Sequence, residues 1–256
     1  VTPTPPDPWA PLTRLTPARI ALGRAGGSLP TSAHLDFQLA HARARDAVQH
    51  PADFDFIEGC LRAAGLRVIR VASAVPDRAT YLRRPDLGRR LAVPDRERVP
   101  GSAPRGDVDV ALVVADGLSG FAVERHAPPL VTELARRLSG MNLTLAPLTL
   151  VQGGRVAIGD EIGQLLGAEI VVVLIGERPG LSSPDSLGAY LTYAPRPGRM
   201  DAERNCVSNI RPEGLPVESA AERICWLVAE ARRRKLTGVE LKEEARRLGG
   251  GTANGG

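Results

Sequence analysis

Apolar positions change their spacing near residue 107. Beyond it, short blocks of contiguous aliphatic residues alternate with stretches of helical period. The block Ile170-Val171-Val172-Val173-Leu174-Ile175 is too short to cross a membrane and rich in β-branched residues. It predicts a strand buried on both faces, as in parallel sheets. Residues 108–115 (VDVALVVA) and 143–151 predict two more strands, and 185–194 a fourth. Helices are predicted between and after them, near 129–138, 160–166 and 216–235. In the last, Ala220, Ile224, Leu227, Val228 and Ala231 fall on one face, with Pro216 as a first-turn residue. Such alternation predicts an α/β fold with a doubly wound, mostly parallel, Rossmann-like sheet.

Upstream the pattern is mainly helical. Thr31 or Ser32 is placed to cap a helix running to about His50, with Leu35, Leu39, Ala42 and Val48 as its apolar positions. A second helix over 53–64 stops at Gly65, and 66–71 (LRVIRV) alternates as a strand does. Residues 77–91 (DRATYLRRPDLGRRL) carry five arginines and read as a solvated, irregular helix or loop. Residues 92–106, rich in proline and arginine, read as a mobile link. The first 17 residues hold six prolines and no periodicity, which predicts a flexible arm. The expected organisation is an arm (1–17), an N-terminal helical extension (18–100), an α/β ligand-binding domain (101–240) and a disordered tail (241–256).

If strands 108–115 and 170–175 are parallel neighbours, the loops 116–120 (DGLSG) and 176–180 (GERPG) open on one edge. Ligands of open α/β sheets bind beyond that carboxyl edge, so a concave rim with two carboxylates and an arginine is expected there. Catalytic signatures are missing. No Gly-Lys pair exists for a phosphate loop, and there is no GxSxG or HExxH. Gly23-Arg24-Ala25-Gly26-Gly27 is not a dinucleotide fingerprint. The four histidines fall in the first half, away from the rim, and no metal set is in sight. Asp116 reads as a turn or cap residue. A binding subunit fits better than an enzyme acting alone; the rival is a free-standing nucleotide-binding enzyme using the two loops.

Composition narrows the reading further. Aromatics make up 4% of the chain, so the core is built from Ala, Val, Leu and Ile. The net charge is +4, yet only Lys235 and Lys242 are lysines, and the basicity reads as a solvated surface. Interleaved aromatics and a lysine stripe are lacking, which argues against nucleic acid. Cys60, Cys206 and Cys225 are scattered, as expected of a reducing compartment. No run approaches the ~18 apolar residues of a membrane helix, and no signal-peptide pattern opens the chain. A soluble, intracellular protein is expected.

Several blocks in order also resemble a known family: Gly23-Arg24-Ala25-Gly26, YLRRPDLGRRL over 81–91, Asp116-Gly117-Leu118-Ser119, Gly154-Arg155-Val156, Asp160-Glu161-Ile162-Gly163, Gly176-Glu177-Arg178-Pro179-Gly180-Leu181 and Cys206-Val207-Ser208-Asn209-Ile210. Together they resemble the small subunit (light chain) of ethanolamine ammonia-lyase. The resemblance implies an adenosylcobalamin-dependent lyase that converts ethanolamine to acetaldehyde and ammonia by a radical route. It implies a large subunit carrying the chemistry, this chain closing over the lower side of the cobalamin, and a hetero-oligomer in a bacterial microcompartment or the cytoplasm. It places cobalamin contacts at Val156, Glu177 and Cys206, and no catalytic residue here. It also gives the arginine-rich segment 78–90 a second reading beside the solvated one, as a docking surface for the large subunit or for the cofactor's phosphate. No Asp-x-His occurs, so the cofactor's own base is expected to stay on cobalt. Read from the residues alone, Val156 is a core valine and Cys206 a buried structural thiol. Glu177 stays open between a cofactor contact and a surface partner of Arg178.

Overall fold

The computed structural model describes residues 7–16, 18–103 and 106–241. Its centre is a six-stranded sheet with strand order β1-β3-β2-β4-β5-β6. The strands are β1 (Val68–Ala72), β2 (Val108–Ala115), β3 (Leu148–Gln152), β4 (Ala168–Gly176), β5 (Leu187–Tyr193) and β6 (Asn205–Ile210). The first four are mutually parallel; β5 and β6 are antiparallel additions at one edge. The helices are α1 (Thr31–Gln49), α2 (Phe54–Ala63), α3 (Arg78–Arg83), α4 (Val93–Arg98), α5 (Gly120–Gly140), α6 (Ile158–Leu165) and α7 (Val217–Arg234). The fold is α/β with a mixed sheet, and the sheet crosses the boundary expected near residue 100, because β1 pairs with β3.

Helices cover both faces, which is why the central strands are apolar on both sides. Val110, Leu112 and Val114 of β2 pack with α2, α5 and α7. Ala111, Val113 and Ala115 face the other way, with α6 and Leu91. The connection β2-α5-β3 runs toward β1, and β3-α6-β4 crosses back to the far side of β2. The switch point therefore lies between β2 and β4, the parallel neighbours expected from the sequence.

Several expectations need correction. α5 starts nine residues earlier than predicted, at Gly120, and carries Pro128 and Pro129 inside it. The Ser119 side chain caps that start by accepting from the Ala122 N–H, and the prolines are accommodated mid-helix rather than marking a first turn. In α1 neither Thr31 nor Ser32 is the cap; Pro30 precedes the helix without any side-chain cap. Leu35 and Leu39 are exposed, and only Ala47 of α1 is buried. The arginine-rich stretch is not a solvated loop throughout, for Tyr81 is fully buried in α3. Nor is 92–106 a plain link. α4 is anchored where Asp95 accepts the Ala72 N–H at 2.8 Å, and Val99 is buried beside it. Pro216 precedes α7 as its cap residue. Residues 1–6 of the expected arm lie outside the described residues, as does the expected tail beyond 241; Ala10–Arg14 of the arm form a 3-10 turn.

Candidate functional site

The loops after β2 and β4 do meet, but they form no open rim. Gly117, at φ +60°, lies so close to the end of β4 that a Cβ there would sit 2.3 Å from the Gly176 carbonyl oxygen. A Cβ on Gly176 would sit 2.2 Å from the Ser119 carbonyl oxygen. The Leu118 N–H donates to the Gly176 oxygen at 2.9 Å, closing the seam. Asp116 is turned inward. Its carboxylate accepts from the N–H groups of Gly117, Gly153 and Gly154 at 3.0–3.1 Å, with Arg78 3.9 Å away. Burial raises the Asp116 pKa against the pull of those donors. Asp116 thus holds the β3–α6 turn in place and presents no carboxylate to solvent. His50 and His126 are nearer this edge than expected. His50 stacks on Phe121 and bonds to Glu124 at 2.9 Å, and His126 lies 3.8 Å from Asp185.

The three expected contact residues are found on the α6 face of the sheet. Glu177 follows β4. One carboxylate oxygen accepts from the Ser186 hydroxyl and from the Asn209 N–H, the latter at 3.2 Å. The other faces Gly188, where a Cβ would come within 2.8 Å of it. The Glu177 carboxylate is oriented by these neighbours and makes no ion pair with Arg178 among the described residues. Cys206 is exposed on β6, not buried. It stands opposite Tyr190 of β5. Burial of the thiol in its surroundings raises its pKa above 9.0, and nearby Glu177 adds to the shift. Tyr190 is likewise pushed above its ordinary value by burial, with Cys206, Glu177 and Asp201 contributing. Val156 is half-buried in the β3–α6 turn, packed against the core under α6.

Val156 also lines a cavity of about 260 Å³ with Pro85, Arg89, Arg155, Met200 and Asp201. A neighbouring cavity of about 520 Å³ shares Arg89, Ala157, Arg199 and Met200 with it. α6 packs on β4, while Cys206 and Ser208 of β6 are left exposed on that face. Sequence reasoning missed Ser186, Tyr190 and Asn209 as the residues that set Glu177 and Cys206. Register supplies them, and only strand pairing fixes register. Among the described residues no His, Cys, Asp and Glu cluster could hold a metal, and no helix is long and apolar enough to cross a membrane.

Comparison with known proteins was consistent along the chain. The profile of the ethanolamine ammonia-lyase light chain family (EutC) matches residues 6–242. An ethanolamine ammonia-lyase small subunit from Azotobacter vinelandii is 58% identical over 241 residues, covering 93% of this chain and 89% of the relative. One from Xanthomonas campestris is 56% identical over 256 residues, covering 98% and 94%. A Pseudomonas syringae relative of the same name is 56% identical over 243 residues, covering 94% and 85%. With its α/β sheet and a match over nearly its whole length, the chain belongs to the ethanolamine ammonia-lyase light chain family, a lyase subunit rather than a free-standing nucleotide-binding enzyme.

Proposed function

We propose that this chain covers the lower side of adenosylcobalamin where it meets the large subunit of ethanolamine ammonia-lyase, touching the cofactor through Val156, Glu177 and Cys206. The observation that carries the reading is the setting of Glu177. Ser186 and the Asn209 N–H fix one of its oxygens, and the missing side chain of Gly188 makes room for the other. A carboxylate oriented in this way suits the amide N–H groups of a corrin's side arms, a charge-assisted contact stronger than a neutral one. Cys206, exposed and kept protonated, offers a small polarisable wall, and Val156 an apolar one.

When bound, the cofactor supplies the radical chemistry that converts ethanolamine to acetaldehyde and ammonia; the residues of this chain bind, orient and exclude water. Leu35 and Leu39, four apart on α1 and both exposed, share one helix face that a partner subunit would cover. The complex belongs in a bacterial microcompartment or the cytoplasm. In the complex with the large subunit, Glu177→Ala is expected to weaken cobalamin binding by about tenfold. Turnover at saturating cofactor should barely change. A variant that bound cobalamin normally but turned over slowly would refute the assignment.

A further inference from the structure

The two cavities beside Val156 hold several charges of both signs, and most of them are already matched. Asp86 is held bidentate by Arg84 at 2.7 and 2.9 Å. Asp160 is held bidentate by the buried Arg204 at 2.6 and 2.7 Å. Glu161 forms an ion pair with Arg96 at 2.9 Å and accepts from the Leu91 N–H at 2.8 Å. Arg199 pairs with Glu203 at 2.5 Å. Three arginines of the two cavities have no ion pair among the described residues: Arg89 and Arg90 line the larger cavity, Arg89 lining both, while Arg155 of the smaller cavity is engaged by the Tyr81 ring and carbonyl. The carboxylate at the smaller cavity, Asp201, lies 3.6 Å from Arg204 and is exposed.

The placement of Arg89 and Arg90 is fixed from below. Arg89 ends the 3-10 turn Leu87–Arg89. The turn is seated where Gly88 has no room for a side chain, since a Cβ would lie 2.8 Å from the Arg155 Cγ and 3.0 Å from the Gly153 oxygen. The Arg155 N–H donates to the Gly88 carbonyl at 2.8 Å, and the Arg155 guanidinium stacks 4.0 Å over the buried Tyr81 ring. The residue after Arg155 is Val156. Pro85, Val156 and Met200, the last 68% exposed, therefore form an apolar trough with unmatched guanidinium groups at its margin. Guanidinium groups bind phosphate oxygens bidentately, and a flat apolar trough beside them suits an aromatic base.

Resting on the reading above, we infer that Arg89 and Arg90 bind the phosphate diester of the cobalamin's nucleotide tail, with the tail's base lying along Pro85, Val156 and Met200. The nucleotide tail is then a recognition element of this chain, separate from the corrin arms met by Glu177.

The test is equilibrium titration of the complex with the large subunit, using two probes: cyanocobalamin, and cobinamide, the same corrinoid without base, ribose and phosphate. Arg89→Gln or Arg90→Gln alone should weaken cyanocobalamin roughly tenfold, and the double variant about a hundredfold, with cobinamide affinity unchanged. Arg136→Ala, which removes an exposed arginine of α5 that lines neither cavity and pairs only with Glu133 among the described residues, should change neither. Equal losses on both probes, or none on either, would overturn the inference. So would a double variant that no longer co-purifies with the large subunit, because the arginines would then be docking that partner. Should the double variant not fold, the single variants carry the same comparison. Glu177→Ala separates the two claims. If it weakens both probes while the arginine variants weaken neither, only the tail assignment fails. If neither Glu177→Ala nor the arginine variants affect either probe, the cofactor reading fails with it.

Discussion

At the scale of single residues, the candidate site is shaped by the neighbours of the three proposed contact residues. Gly188→Ala puts a methyl group 2.8 Å from a Glu177 oxygen and 3.0 Å from its Cγ, so the carboxylate must move. The expected result is a several-fold loss of cobalamin affinity, read in the same titration as Glu177→Ala, with the thermal melt close to that of the parent chain. Cys206 is exposed yet carries a raised thiol pKa. Iodoacetamide should label it slowly at pH 8, faster only well above the usual thiol range, and more slowly still with cobalamin bound. Labelling at the rate of a free thiol at pH 8 would contradict the burial effect. The motif residues Val156, Glu177 and Cys206 were legible as blocks in the sequence. What Cys206 does in space was not, because an edge strand leaves alternate side chains in solvent and six residues are too few to reveal which. Ser186 and Tyr190 carry no signature at all; they matter only because β5 pairs with both β4 and β6.

Among the secondary-structure elements, α6 is the one that positions the cavities. Asp160 in its first turn meets Arg204, with the two side chains only 1% and 2% exposed, and Thr192 of β5 shares the guanidinium at 2.8 Å. Losing one member strands a buried charge. Asp160→Ala or Arg204→Ala should each cost about 3–5 kcal/mol in urea unfolding, whereas replacing both with aliphatic residues of similar size should recover most of it. A single variant with parental stability would show that water reaches the pair. β4 was readable because an uninterrupted aliphatic run has few uses other than a central strand. α5 was misread because Pro128-Pro129 resembles a start signal, while the true start depends on the Ser119 side chain and on packing against the His50 segment. α1 shows the opposite failure. Its apolar spacing is helical, but periodicity alone does not tell a face packed on this core from one left in solvent.

For the whole molecule, the sheet joins the N-terminal and C-terminal parts into one core, since β1 from the first part pairs with β3 and lies one strand from β2. That core shelters several neutral acids. Tyr81 and Tyr190 are raised above 10.0 by burial, and Cys225 is raised from 9.0 to about 11 for the same reason. Each stays protonated longer in the folded chain than in the unfolded one. The stability they contribute is complete below the unfolded value and lost as pH climbs toward the folded one. Urea midpoints should therefore hold steady up to about pH 9 and fall between there and about pH 11. A flat profile across that range would contradict the burial of these groups. Fold class was legible at this scale from alternation alone; the antiparallel edge was not, because β6 is short and half polar.

The glycine seam between residues 117 and 176 has a consequence for where any small molecule goes. Where many sheets of this type leave a slot at the reversal of strand order, here two backbones are pressed together and the slot is welded shut. Gly117→Ala, which demands a left-handed alanine against a carbonyl, should destabilise by about 3 kcal/mol or more. A guest turned away from the middle is left with the flank, beside the last two strands. A flank walls a guest on one side only, which is the geometry that the proposed pairing with a large subunit would complete.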